Sequence, residues 1–204
     1  MIRLITTALT LAVMAIVAGL GWAWYDGSQT MDRAEAAGWL TPAPDEADMS
    51  LFETTVAKAV FGQTWEETGF PCRTAGRLWN HYTGATDRRG MSISQVMARD
   101  ISYEEEASQS LRSQVRQLSL ACLLERQHGD TALLRLWLRR AHFGKGMFGP
   151  DAAAQATFGK APGALDAAES QKLTALLYWP GTQEQPADWD RRTAIIASRA
   201  AAAN

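Results

Sequence analysis

Cysteine and histidine are scarce in this chain of 204 residues, which has two cysteines and three histidines. The histidines are scattered singly, so no Cys/His cluster has metal-ligand spacing and no metal site or cofactor is predicted. Cys72 and Cys122 are able to pair in an oxidising compartment, but nothing in their spacing requires it. Two separate buried thiols are therefore the expectation.

An excess of positive charge is also missing. Twenty basic and 22 acidic side chains give a formal net charge of -2. Nucleic-acid binding depends on cations that neutralise phosphates, and no such surplus is available. Nucleic acid is therefore excluded as an expected partner.

Alternating strand patterns, internal repeats and low-complexity tracts are rare, apart from an alanine-rich tail. Apolar residues instead recur at helical spacing, which predicts an all-α body with one core. The predicted helices begin near Ser50, near Glu104, at Thr131, at Pro150, at Asp166, and at Asp188 or Asp190. The helix from about Glu104 to Arg126 has two apolar faces and is expected to pack on both sides.

One long hydrophobic run is present, from Leu4 to Tyr25. As a helix its 22 residues span roughly 33 Å, enough to cross a bilayer. Arg3 precedes the run and aromatic residues end it, which predicts a single-pass anchor in the bacterial inner membrane with the body in the periplasm. A cleaved signal peptide is the alternative, but the run exceeds a normal signal core and no small-residue cleavage site closely follows it.

These features divide the chain into three parts. Residues 1–26 form the predicted anchor and residues 27–45 a polar linker that includes the Thr-Pro-Ala-Pro stretch. Residues 46–204 form the predicted folded domain.

The most specific motif is HFGKGMFGPDAAAQATFGK, from His142 to Lys160. Its glycines allow a compact turn and Pro150 suits the first turn of a helix, so helix–turn–helix packing explains the residue types without any ligand. The order of residues also resembles a conserved segment of peptidoglycan glycosyltransferases, the transglycosylase domains of class A penicillin-binding proteins and monofunctional transglycosylases. The similarity runs from about Ser50 to Ile196 and implies a lysozyme-like α fold.

A second segment, GMSISQVMARD from Gly90 to Asp100, resembles the family's G-G-S-T-I-T-Q-Q-L-A-K-N motif. The resemblance implies that Ser92, Ser94 and Gln95 donate hydrogen bonds to the sugar or diphosphate of a lipid-linked disaccharide. Hydrogen bonding within a helix start is the equally open alternative.

The family's two catalytic carboxylates are not found where the resemblance places them. Aligning E-D-x-x-F-x-x-H-x-G on FGQTWEETGF puts Phe61 at the glutamate that acts as general base. The second acid, in R-K-x-x-E, falls on Gln117, and the two cations before it fall on Ser113 and Gln114. Neither phenylalanine nor glutamine can accept the proton of an attacking hydroxyl.

Another family motif, K-x-x-I-L-E-x-Y-L-N, falls on DTALLRLWLR. Its hydrophobic frame persists, while Arg135 and Arg139 replace the polar residues. These arginines lie four apart on one helical face and are candidates for binding an anion, although a solvated or carboxylate-paired face is the expected arrangement.

A different alignment restores one carboxylate, because Glu66 and Glu67 begin a sequence that fits E-[D/E]-x-x-F. It places Arg73 where the family has histidine and shortens the distance to Gly90.

The favoured hypothesis is a catalytically impaired, membrane-anchored relative that binds lipid-linked disaccharide or glycan, or that scaffolds cell-wall assembly with other cell-wall synthesis proteins. The alternative is an active glycosyltransferase with relocated acidic residues. A fold retained only as a surface for a protein partner is the third possibility.

Overall fold

The computed structural model describes residues 2–41, 48–62, 72, 74, 76, 91–105 and 110–203. Over these residues the protein is helical and contains no strand. His142 and Phe148 form an isolated antiparallel β-bridge. The all-α prediction is confirmed. The α-helices are α1 Ile2–Ala36, α2 Leu51–Val56, α3 Ile93–Glu105, α4 Leu111–Gln127, α5 Asp130–Leu138, α6 Pro150–Phe158, α7 Ala167–Tyr178 and α8 Pro186–Ala202.

Helix α1 is long and apolar enough to cross a membrane. The side chains of its apolar part project away from the body, as a lipid-facing segment requires. The helix does not end with the hydrophobic run, since it continues as far as Ala36. Residues 27–36, predicted as linker, are therefore part of α1. Residues 42–45 of that linker lie outside the described residues.

The second half of α1 packs on α4. Gly27 lies so close to this helix that an added Cβ would be 2.4 Å from the Ser119 hydroxyl oxygen. Met31 and Ala34 are buried in the same core as Leu120 and Leu124. The C-terminal half of α1 and the other helices consequently share one hydrophobic core.

Helix α4 lies at the centre of the body, between α1 on one side and α3 on the other. Leu120 and Leu124 are fully buried, as are Leu133 and Leu134 of α5. The prediction of a helix packed on two sides is confirmed for α4.

The predicted start of this helix at Glu104 is wrong. Glu104 belongs to the last turn of α3, where it accepts a hydrogen bond from the Trp39 indole at 2.8 Å. Helix α4 begins after Ser110, whose hydroxyl accepts from the backbone N–H of Ser113 at 3.1 Å. The serine cap decides the boundary because its side chain satisfies a first-turn donor, which the glutamates do not.

Other helix ends follow the sequence signals. Capping boxes form at Ser50 with Glu53 and at Asp166 with Glu169, and Pro150 occupies the first turn of α6. The last helix starts at Pro186 rather than at Asp188 or Asp190, because proline has the backbone angle of a first helical turn. Asp188 instead pairs with Arg192 one turn later, at 2.6 Å.

The two cysteines form a disulfide, so the expectation of separate thiols is wrong. Cys72 and Cys122 have Cα atoms 5.2 Å apart. The bond joins positions 50 residues apart in sequence and ties the segment containing Cys72 to the middle of α4.

The glycine-rich segment from His142 to Gly149 is a tight turn between α5 and α6. Gly144 has φ +90, and a Cβ there would be 2.9 Å from the backbone nitrogen of Gly181. At Gly149, with φ +81, an added Cβ would be 3.2 Å from the carbonyl oxygen of Arg139. The glycines therefore have the packing role that their residue type predicts, because a side chain would collide at Gly144 and would be strained by the positive φ at Gly149.

Candidate functional site

A cleft of about 350 Å³ lies between the start of α3 and the first half of α4. Two residues that the sequence singled out, Gln95 and Gln117, lie together in its wall. The complete lining given by the described residues is Thr74, Met91, Gln95, Leu111, Gln114, Val115, Gln117 and Leu118.

The eight side chains of this lining are all uncharged. Three carboxamides and one hydroxyl supply both donors and acceptors, and the other four side chains are apolar. None of the eight residues has an ionisable side chain. The lining described here is suited to hydroxyl-rich ligands with apolar faces, and it contains no group that can accept a proton as a general base.

The Ser92 and Gln95 side chains are used at the start of α3. The Ser92 hydroxyl accepts from the Gln95 backbone N–H at 3.3 Å, and the Gln95 carboxamide oxygen accepts from the Ser92 N–H at 2.9 Å. This reciprocal pair is a capping box. It is the hydrogen bonding within a helix start that the sequence analysis gave as the alternative to ligand binding. Ser92 and Ser94 are buried, while Gln95 is half-buried and borders the cleft.

Glu125 organises the polar groups behind the cleft, and sequence reasoning gave it no role. One of its carboxylate oxygens accepts from the hydroxyls of Ser94 at 2.6 Å and Thr74 at 2.7 Å. The Ser94 hydroxyl oxygen is also 2.7 Å from that of Ser92, so the two hydroxyls share a hydrogen bond. The carboxylate thus fixes Thr74 in the cleft wall. Glu125 itself lies three residues after the disulfide-bonded Cys122 on α4. The sequence signal that could have indicated it is a carboxylate three residues after Cys122 in the predicted helix from Glu104 to Arg126.

Phe61 lies in the core. It ends the π-helical turn Ala57–Phe61 that extends α2, and it is 2% exposed. Its ring centroid is 5.6 Å from that of Trp137, with the planes nearly perpendicular, a favourable aromatic arrangement. Phe61 also borders a second cavity of about 300 Å³, which shares Met91 with the first cleft.

Gln117 is half-buried, and its carboxamide donates to the Ser113 hydroxyl one turn earlier at 3.2 Å. Ser113 is buried, whereas Gln114 is exposed at the cleft. The motif resemblance predicts that these positions correspond to the family's second acid and its two cations, and this assignment stays a prediction. In this chain all three are uncharged.

The cations of α4 that are nearest to Gln117 in sequence point toward α1. Arg116 donates through Nε to Asp26 Oδ2 at 2.9 Å, and Arg112 donates through Nη2 to Asp26 Oδ1 at 3.2 Å. Both guanidinium groups therefore lie on the face of α4 that packs on α1.

Arg135 and Arg139 border a different cavity, of about 420 Å³, next to α2 and α6. Arg135 donates through Nε to Glu53 Oε1 at 2.8 Å and through Nη2 to the Asp48 carbonyl at 2.9 Å. Arg139 is exposed and donates to the carbonyl of Thr41. Arg135 is thus carboxylate-paired, the arrangement expected from its position, and neither arginine borders the cleft of Gln95 and Gln117.

Glu53 is an acid whose pKa reflects this pairing. Burial acts to raise the pKa of Glu53, but hydrogen bonds and charge interactions from Arg135, with help from Ser50, hold it below its ordinary value. The folded protein therefore binds fewer protons at this group than the unfolded chain does in the acidic range.

This shift predicts a pH-dependent contribution to stability. The contribution is complete above the unfolded-state pKa of Glu53 and is lost as the pH falls through the lower folded-state pKa. Glu53→Gln keeps the capping contact but removes the charge, so its unfolding free energy should fall less steeply on acidification than that of the wild type. Urea unfolding at a series of acidic pH values measures the slope of unfolding free energy against pH for both proteins. The exposed Glu184→Gln is the matched control and should retain the wild-type slope, and equal slopes for all three proteins would contradict the prediction.

The acids of the alternative alignment, Glu66 and Glu67, lie outside the described residues, as does Arg73. Within the part of the chain that the structure describes, no group of three or more His, Cys, Asp or Glu side chains is placed to hold a metal ion.

The fold and the site define a class of protein: it has a helical body, a long apolar N-terminal helix and a cleft whose walls are α3 and α4. The transglycosylase family model matches residues 64–201, or 138 of the 204 residues. The chain belongs to the transglycosylase family, and its body has the lysozyme-like α fold of that family.

Two curated relatives agree with this assignment. A biosynthetic peptidoglycan transglycosylase of Bordetella avium (strain 197N) is 32% identical over 118 residues, which cover 56% of this chain and 48% of the relative. A penicillin-binding protein 1A of Aquifex aeolicus (strain VF5) is 30% identical over 97 residues, or 48% of this chain and 13% of the relative. The chain thus matches under half the length of either protein.

The range of the family match bears on the two alignments of the catalytic motif. It begins at residue 64, so it includes Glu66, Glu67 and Gln117 but not Phe61. Assignment of Phe61 to the position of the family's general base remains a prediction.

Proposed function

We propose that this protein is a membrane-anchored pseudoenzyme of the transglycosylase family that binds lipid-linked disaccharide or glycan without polymerising it. The observation that carries the proposal is the lining of the cleft, where carboxamides and apolar side chains surround a space without an ionisable group among the described residues. Gln117 occupies the cleft wall where the resemblance places a catalytic acid.

Glycosyl transfer from a diphosphate-linked donor needs a base for the attacking hydroxyl and positive charge for the departing diphosphate. A positioned general base contributes about a hundredfold or more to the rate. The two nearest cations on α4, Arg112 and Arg116, are bound to Asp26 on the side facing α1. A cleft with this composition supports binding rather than turnover.

The carboxamides of Gln95, Gln114 and Gln117 are suited to sugar hydroxyls and acetamido groups, because each carboxamide both donates and accepts. Leu111, Val115 and Leu118 supply apolar surface beside them. A bound glycan would contact both kinds of group at once. With α1 inserted in the inner membrane, the body lies in the periplasm, where such a protein can scaffold cell-wall assembly.

A second candidate is an active glycosyltransferase that uses Glu66 or Glu67 as the general base. The extent of the family match favours it, because that match includes both glutamates. In this case Glu66→Gln/Glu67→Gln should abolish polymerisation while leaving ligand binding intact.

The deciding experiment measures binding of purified, detergent-solubilised protein to lipid-linked disaccharide, with a polymerisation assay on the same sample. Binding without polymer supports the proposal. Polymer above the level of a catalytically dead family enzyme would overturn it in favour of the active candidate. Absence of both signals would also overturn it and would direct attention to a protein partner.

Ligand binding should depend on the carboxamides of the cleft. We expect Gln95→Ala/Gln117→Ala to weaken binding by about tenfold or more, since each lost hydrogen bond to an uncharged group contributes about 0.5 to 1.5 kcal/mol. Isothermal titration with lipid-linked disaccharide measures the change. Gln127→Ala is the matched control, because Gln127 is exposed at the end of the same helix and is not part of the cleft. Equal weakening by the control would show that the effect is not specific to the cleft.

A further inference from the structure

The contact between α1 and α4 contains an ordered set of cations and aromatic rings. The guanidinium carbon of Arg112 is 5.4 Å from the ring centroid of Trp22. That of Arg126 is also 5.4 Å from the ring centroid of Trp24. Both tryptophans are more than two-fifths exposed, and they end the hydrophobic run of α1.

The two pairs are spaced differently on the two helices. Trp22 and Trp24 are two residues apart, or about 3 Å along α1, whereas Arg112 and Arg126 are fourteen apart, or about 21 Å along α4. The two rings project from nearly opposite sides of α1, and each meets an arginine near one end of α4.

The position of the tryptophans sets the depth of the two guanidinium groups that lie over them. Tryptophan rings at the end of a membrane-spanning helix lie at the level of the lipid headgroups. The guanidinium groups over these rings are held at that same level. Their long side chains can bury their apolar stems and present the charge to phosphate oxygens.

Two cations of this contact are accessible. The guanidinium groups of Arg112 and Arg116 bind the carboxylate of Asp26, and that of Arg126 lies over Trp24. Arg116 is buried, but the side chain of Arg112 is 58% exposed and Arg126 is also exposed. Two cations are thus accessible at opposite ends of α4.

We propose that α4 is a second membrane contact, in which Arg112 and Arg126 bind the headgroups of anionic phospholipids beside the anchor. Charge complementarity and continuity with the membrane-spanning helix support lipid over a protein partner. The inference requires α1 to be inserted, but it does not depend on what the cleft binds.

One consequence concerns the cleft. Leu111, which lines it, is the neighbour of Arg112 in the chain and is 76% exposed. Lipid contact at Arg112 therefore places one end of the cleft next to the bilayer surface.

The test uses the full chain in neutral detergent, titrated with soluble short-chain phosphatidylglycerol or phosphatidylcholine and followed by native mass spectrometry. We expect the wild type to prefer phosphatidylglycerol. Each surface cation near anionic lipid contributes about a fivefold change in binding, so Arg112→Gln/Arg126→Gln should lower this preference about 25-fold. Arg112→Lys/Arg126→Lys should retain most of it, because the charge remains.

The control removes the same charge elsewhere. Arg191→Gln/Arg199→Gln changes two exposed arginines of α8, and its lipid preference should equal that of the wild type. The proposal is overturned if the wild type shows no preference, or if the α4 and α8 variants lose it equally. Competition by inorganic phosphate alone, at the concentration of the lipid, would also overturn it by showing a site for free phosphate. Binding of lipid-linked disaccharide by the cleft is measured separately, so failure of this inference is distinguishable from failure of the proposed function.

Discussion

We expect replacement of both disulfide cysteines, Cys72→Ala/Cys122→Ala, to lower the free energy of unfolding by about 4 kcal/mol. A cross-link between positions 50 residues apart removes much of the conformational freedom of the unfolded chain. The same bond holds the segment of Thr74 against α4, where Thr74 forms part of the cleft. The variant should therefore also bind a cleft ligand more weakly.

Chemical unfolding of wild type and variant under oxidising conditions measures this effect. A reducing agent should destabilise the wild type by a similar amount and leave the double variant unchanged. Titration of free thiols in the denatured, unreduced wild type should detect none from this pair. Two reactive thiols, or equal stability of the two proteins, would contradict the prediction.

The second large effect is expected at the ion pair between α1 and α4. Asp26 is 7% exposed and Arg116 is 5% exposed, so Asp26→Ala removes the carboxylate that compensates a buried guanidinium. Breaking a buried pair by removing one partner costs about 3 to 5 kcal/mol, because the remaining charge has left water without its counterion. Thermal unfolding in detergent, followed by tryptophan fluorescence, should show a clearly lower midpoint.

Two further variants separate the buried pair from a general effect of charge. Asp32→Ala changes an exposed carboxylate on the same helix and should alter the unfolding free energy by no more than about 0.5 kcal/mol. Asp26→Leu/Arg116→Met should recover much of the loss, since apolar residues can replace a buried ion pair at little cost. A small effect of Asp26→Ala, or one equal to that of Asp32→Ala, would refute a stabilising role for this contact.

Local signals predicted much of the helical architecture. The Ser50 and Asp166 capping boxes and Pro150 marked true helix starts, because capping and proline geometry depend on residues within one turn. The start of α4 was misplaced because glutamates at 104–106 suggested a first turn, while the effective cap was Ser110. Such competition between two plausible starts is not resolved by local sequence.

The candidate site was predictable only in part. The motif comparison indicated Gln95 and Gln117, which lie in one cleft, and also Arg135 and Arg139, which border another. Thr74 and its hydrogen bond to Glu125 were not predicted. That bond joins residues 51 positions apart, and such pairs depend on packing rather than on neighbouring sequence.

The sequence by itself determined the helical class, the hydrophobic run, the family resemblance and the absence of charge at Gln117. These properties follow from residue type and periodicity, which are local. Tertiary structure alone decided that Cys72 meets Cys122, that α1 continues past the hydrophobic run, and that Asp26 binds Arg116. Each of these depends on bringing distant segments together around one core, and the sequence pattern does not specify which side chains then become neighbours.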